Sequence, residues 1–82
     1  MTADQIIERI NHFFVEDFEV EEGNIVPQNS LKDTLDLDSL DYVDLVVSIE
    51  QNFGFKVKPE DFQSMVSVQD FYDYVIGKVN SN

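Results

Sequence analysis

The chain has 82 residues, with 17 Asp or Glu against 5 Lys or Arg and a formal net charge of -12. That length allows one domain, near the lower limit for a core without cross-links, and the negative field repels nucleic acid and anionic lipid while attracting basic protein surfaces. Cysteine is absent, which excludes disulfides and thiolate metal sites, and 43% hydrophobic with 12% aromatic residues is too apolar for a disordered acidic chain.

In chain order, Thr2 and Gln5 form a capping-box pattern. Ile6, Ile7, Ile10, Phe13 and Phe14 then recur at helical spacing, giving a first helix of about four turns. From Asp17 to Lys32 regular periodicity fails. Glu19, Glu21, Glu22, Gly23, Asn24, Pro27, Asn29 and Ser30 are loop formers, with apolar anchors at Val20, Ile25 and Val26. A connection this long calls for a topological or functional reason. Leu31, Leu35 and Leu37 tie its end to the core, and Asp38 reads as the N-cap of a second helix that starts at Ser39 and stops at Gly54. After a connector over 55–59, Glu60 to Met65 makes a short helical piece. Ser67 with Asp70 caps a last helix carrying Val68, Phe71, Tyr72, Val75, Ile76 and Val79, leaving Asn80 to Asn82 as a tail. The expected fold is all-α, a small four-helix bundle of three longer helices and one short, with a long loop between helices 1 and 2. Residues 1–82 are read as a single domain.

The second helix carries the most information. At about 100° per residue, Tyr42, Leu45, Val46, Ile49 and Phe53 share a wide core-facing stripe, and Asp41, Asp44, Ser48, Gln51 and Asn52 fall opposite. Leu40, Val43 and Val47 form a second apolar strip, bordered by Asp44 and Glu50. Such a strip either widens the buried stripe or docks on a basic, partly hydrophobic partner. Between Lys32 and Lys56 there is no basic residue, while Asp33, Asp36, Asp38, Asp41, Asp44 and Glu50 all fall there. The helix dipole accounts for acids in the first turn but not for Asp44 or Glu50.

The run Leu37-Asp38-Ser39-Leu40-Asp41-Tyr42-Val43-Asp44-Leu45-Val46, with Ile49-Glu50 and Phe53-Gly54, resembles the Asp-Ser-Leu segment and second helix of acyl carrier proteins. Ser67-Val68-Gln69 and the order of elements extend the likeness over the whole chain. The resemblance implies that Ser39, flanked by Asp38 and Leu40, takes a covalent 4′-phosphopantetheine arm from coenzyme A through a separate phosphopantetheinyl transferase. The arm's thiol then holds acyl groups as thioesters for fatty-acid or related biosynthetic enzymes. It also implies that Asp41, Val43, Asp44, Val47 and Glu50 meet acyl-transferring or acyl-modifying enzymes with basic docking patches. Carriage of an activated amino acid, or an unmodified protein-interaction domain with the same fold, remain open as alternatives. Asp36 stands where the family often has Gly, and Lys56 and Lys58 where many relatives are acidic, so these departures bear on the choice of partner.

Rival chemistries find little support. Ser39 is not in a Gly-x-Ser-x-Gly elbow, and the sole histidine, His12, sits on the first helix without an evident partner, so the chain reads as a carrier and not an enzyme. An EF-hand over the Asp33 to Asp41 cluster would need an acid or amide at Leu40 and glycine at Asp41, so no metal site is expected. No stretch approaches the roughly 20 apolar residues of a membrane span. Met1-Thr2-Ala3-Asp4 has no signal-peptide character. The expectation is a monomeric cytoplasmic protein that binds no nucleic acid.

Overall fold

In a computed structural model, the described residues are 1–36 and 41–80, without the side chains of Asp41 and Pro59. Among them are four α-helices: α1 (Ala3–Phe18), α2 (Leu31–Leu35), α3 (Asp41–Phe53) and α4 (Val68–Asn80). Two 3₁₀ elements, Glu22–Asn24 and Pro59–Ser64, interrupt the connections, and no strand is found among the described residues. The expected all-α bundle is the fold observed.

Both capping boxes read from the sequence form. Thr2 Oγ1 accepts from the Gln5 amide at 3.2 Å while Gln5 Oε1 accepts from the Thr2 amide at 3.0 Å. At the start of α4, Ser67 Oγ accepts from the Asp70 amide at 3.1 Å and Asp70 Oδ2 accepts from the Ser67 amide at 3.2 Å. Each box satisfies two backbone donors that a helix start leaves unpaired. Gly54 ends α3 at φ 78°, its amide bonding Glu50 O at 2.8 Å, in the left-handed region that suits glycine.

The long connection is more structured than its composition suggests. Asp17 belongs to α1, a 3₁₀ turn forms at Glu22–Asn24, and α2 occupies Leu31–Leu35. This one-turn helix is capped by Ser30, whose Oγ accepts from the Asp33 amide, and it buries Leu31 and Leu35 four residues apart on one face. It is held from outside: the Leu31 amide bonds Val66 O at 2.9 Å, the Val68 amide bonds Asn29 O at 3.0 Å, and Ser30 bridges Ser67 antiparallel. The loop thus returns across the start of α4. The short piece expected over Glu60 to Met65 is the 3₁₀ helix Pro59–Ser64, and Asn80 extends α4 where a tail was expected. Leu37, Asp38, Ser39 and Leu40, with the start of the second helix placed at Ser39, lie outside the described residues, as do Ser81 and Asn82.

The core joins Ile6, Ile10, Phe13 and Phe14 of α1, Leu45 and Ile49 of α3, and Val68, Phe71, Tyr72 and Val75 of α4. Leu31, Leu35, Val57, Phe62 and Met65 close it from the connections. α1 packs on both α4 and α3, and Arg9 Nη1 donates to Asn52 O at 3.1 Å, placing a cation at the negative end of α3.

Candidate functional site

α3 is set by its core stripe. Leu45 and Ile49 are fully buried, and Tyr42, Val46 and Phe53 pack half-buried at the edges of the same face. Fixing that stripe inward forces Val43 and Val47 outward, where they are 52% and 44% exposed. Neither widens the core. Asp44 and Glu50 are exposed as well, so α3 carries two adjacent valines in solvent with carboxylates on its surface.

Ser48 departs from the expected arrangement. It was placed on the polar side of the helix, yet it is only 7% exposed, and its Oγ donates to Asp17 Oδ2 on α1 at 3.2 Å. The close approach of α1 buries this flank of α3, and the hydroxyl is tolerated there because Asp17 accepts its proton. Asn52, one turn on, is half-buried and its Nδ2 donates to Ser48 O at 2.7 Å. The solvent face of α3 is therefore narrower than its polar composition implies and centres on Val43, Asp44, Val47 and Glu50.

The segment leading to α3 runs from Asp36, which ends α2 in a left-handed conformation, to Asp41. Ser39, Asp38 and Leu40 fall in this interval. The flanks fit a group attached there: the one hydroxyl of the interval stands two residues before α3, and the helix that follows presents an apolar strip to solvent. No group of three or more His, Cys, Asp or Glu is arranged to hold a metal ion among the described residues. His12 is exposed and lines an open cleft with Met1, Gln5, Glu8, Arg9 and Asn52. Asn52 is eleven residues along α3 from Asp41, about 16 Å at 1.5 Å per residue, so this cleft lies at the opposite end of α3 from Asp41. Among the described residues no helix is long and apolar enough to cross a membrane.

Comparison with known proteins agrees with this layout. The family described as phosphopantetheine attachment site matches residues 6–75. Acyl carrier protein 2 of Ralstonia nicotianae is 41% identical over 81 residues, covering 99% of this chain and 95% of the relative. The acyl carrier protein of Thermosynechococcus vestitus is 30% identical over 79 residues, covering 96% and 98%. The solved acyl carrier protein from Enterococcus faecalis superposes with a TM-score of 0.73 at 25% identity, over 94% of this chain and 98% of that one. With the family matched from the core of α1 to that of α4 and full-length relatives on both sides, the chain belongs to the acyl carrier protein family and carries acyl groups on covalently attached 4′-phosphopantetheine.

Proposed function

We propose that Ser39 is the attachment residue and that the solvent face of α3 is where partner enzymes dock. The observation that carries this reading is the outward placement of Val43 and Val47 beside exposed Asp44 and Glu50, on the helix that follows Ser39. In attachment, a transferase joins the Ser39 oxygen to the phosphorus that bears pantetheine in coenzyme A. The hydroxyl proton is lost and the nucleotide portion leaves. Near the amino end of a helix the resulting phosphodiester gains from the helix dipole, and Asp38 and Leu40 frame the serine for the transferase. When attached, the arm supplies a thiol that holds acyl groups as thioesters. The protein's own residues do the rest: Val43 and Val47 offer apolar contact, and Asp41, Asp44 and Glu50 steer basic patches of acyl-transferring and acyl-modifying enzymes.

In this reading residues 1–82 act as one monomeric cytoplasmic domain that is a substrate of other enzymes and catalyses nothing itself. Its partners are those of fatty-acid or related biosynthesis. The test is intact mass after incubation with coenzyme A, magnesium and a broad-specificity phosphopantetheinyl transferase. Wild type gains one phosphopantetheine. Ser39→Ala gains none while keeping its helical circular dichroism, and a variant that still takes up the arm refutes the assignment.

A further inference from the structure

Burial alternates along the segment that follows α3. Phe55 is half-buried, Lys56 exposed, Val57 only 3% exposed and Lys58 exposed again, the period of two of an extended chain. Seating Val57 in the core therefore turns both lysines to solvent on one side, with Cα atoms about 6.5–7 Å apart. Both ends of the segment are held. Phe55 stacks on Phe53 with centroids 6.4 Å and planes 30° apart. Lys58 stands before Pro59 in extended backbone, φ -87° and ψ 144°, and its amide donates to Asp61 Oδ2 at 3.2 Å. That oxygen also accepts from the Tyr74 hydroxyl at 3.4 Å. Among the described residues no carboxylate pairs with the ammonium of Lys56 or Lys58. By contrast, Arg9 is bonded to Asn52 O, and Lys78 lies over the Tyr74 ring, 5.6 Å from its centroid. Of the 5 cations in a chain of net charge -12, two are thus set side by side at the end of α3.

Resting on the docking reading above, we propose that Lys56 and Lys58 form a basic end to the docking face and meet carboxylates on a partner enzyme whose patch for α3 is otherwise basic. The outward strip Val43, Val47 and Glu50 continues at the next turn to Gly54. Phe53 ends α3 six residues after Val47, about 9 Å along the axis. An interface of ordinary size, about 800 Å² on each partner, reaches about 16 Å from its centre. A partner centred on Val47 therefore covers the start of the connector. An enzyme that is basic throughout its patch meets like charge there. One with carboxylates at that end gains two ion pairs and a fixed direction along α3. The occupant is thus an acyl-transferring or acyl-modifying enzyme with a patch of both signs, and the lysines disfavour enzymes fitted to a uniformly acidic carrier. Because the backbone of 55–58 is already held, little of it has to be ordered on binding.

The experiment purifies an acyl-transferring enzyme from the source organism by its turnover of the loaded carrier. A water-soluble carbodiimide then joins carboxylates to ammonium groups in contact as amides, and peptide masses identify the links. Lys56 or Lys58 is expected to join Asp or Glu of the enzyme, while Asp44 or Glu50 joins its lysines. Kinetics supply the sign. Joint Lys56→Glu and Lys58→Glu replacement lowers kcat/KM about tenfold at low salt and converges with wild type as salt rises, with helical circular dichroism unchanged. Lys56→Gln with Lys58→Gln gives a smaller fall, and Lys56→Arg with Lys58→Arg restores turnover. A uniformly basic patch predicts the opposite, faster turnover on charge reversal, so a rise or no change overturns the proposal. So does a complex linked through Asp44 or Glu50 but never through the lysines, which leaves the docking reading standing. A complex with no link of either sign refutes the docking reading, and the proposal falls with it.

Discussion

Two residues without glycine's freedom sit in the left-handed region, Glu19 at φ 57° and Asp36 at φ 51°. Each ends a helix: the amides of Glu19 and Val20 bond Phe14 O, and the Asp36 amide bonds Asp33 O and Lys32 O. This capping geometry leads the chain out of a helix, and it strains an L-residue because Cβ crowds the following carbonyl. Asp bears the conformation better than Glu, since its short polar side chain can bond locally. The departure at Asp36, where the family often has glycine, thus has a backbone meaning. Glu19→Gly is expected to stabilise by about 1 kcal/mol and Asp36→Gly by only about a few tenths, after the entropy glycine adds to the unfolded chain is deducted. Urea midpoints with unchanged slopes measure this. A destabilised Glu19→Gly shows that its side chain contributes more than its backbone costs.

Among the elements, what was legible in the sequence is what depends on neighbours in the chain. The boxes at Thr2–Gln5 and Ser67–Asp70, the stop at Gly54 and the core stripe of α3 each rest on residues within a few positions of one another. α2 escaped notice because one turn cannot sustain itself; it exists through pairing of 29–31 with 66–68. Ser48 was misplaced for a similar reason, as helical spacing marks it polar and only the approach of Asp17 buries it. The α1–α4 contact adds a titration that spacing does not reveal. The Tyr72 hydroxyl on α4 donates to Asn11 Oδ1 on α1, and burial pushes its phenol above the ordinary 10.0, a rise the Asn11 bond partly offsets. The Tyr74 hydroxyl donates to Asp61 Oδ2 at 3.4 Å, and burial, the Asp61 charge and that bond all raise it too. A raised value means the fold favours the neutral phenol, so this stabilisation is complete below the unfolded value and is lost as pH climbs through the folded one. Thermal midpoints should stay level in this respect between about pH 7 and 9 and fall above about pH 10. Joint Tyr72→Phe and Tyr74→Phe replacement should flatten that alkaline fall while lowering neutral stability by about 1 kcal/mol for the Asn11 bond. An alkaline limb unchanged by the replacements assigns it to other groups.

On the scale of the whole molecule, a net charge of -12 is confined within a Cα radius of gyration of 11.5 Å. The screening length at 0.1 M salt is about 10 Å, so at lower salt carboxylates across the whole body repel one another. The acidic surface proposed to recruit basic partners therefore costs the fold stability, and one substitution separates the two effects. Asp44→Lys or Glu50→Lys, both at exposed positions of α3, relieves repulsion and should raise stability by a few tenths of a kcal/mol at low salt, a gain that disappears near 1 M. The same substitutions remove attraction for a basic patch, so kcat/KM of a partner enzyme acting on the loaded carrier should fall about tenfold at low salt and converge with wild type as salt rises. Because the two readouts move in opposite directions, lost turnover cannot be ascribed to unfolding. Unchanged turnover at low salt would mean that these carboxylates only hydrate the helix. Docking would then rest on Val43 and Val47, and truncating either valine to alanine would slow turnover equally at all salt concentrations.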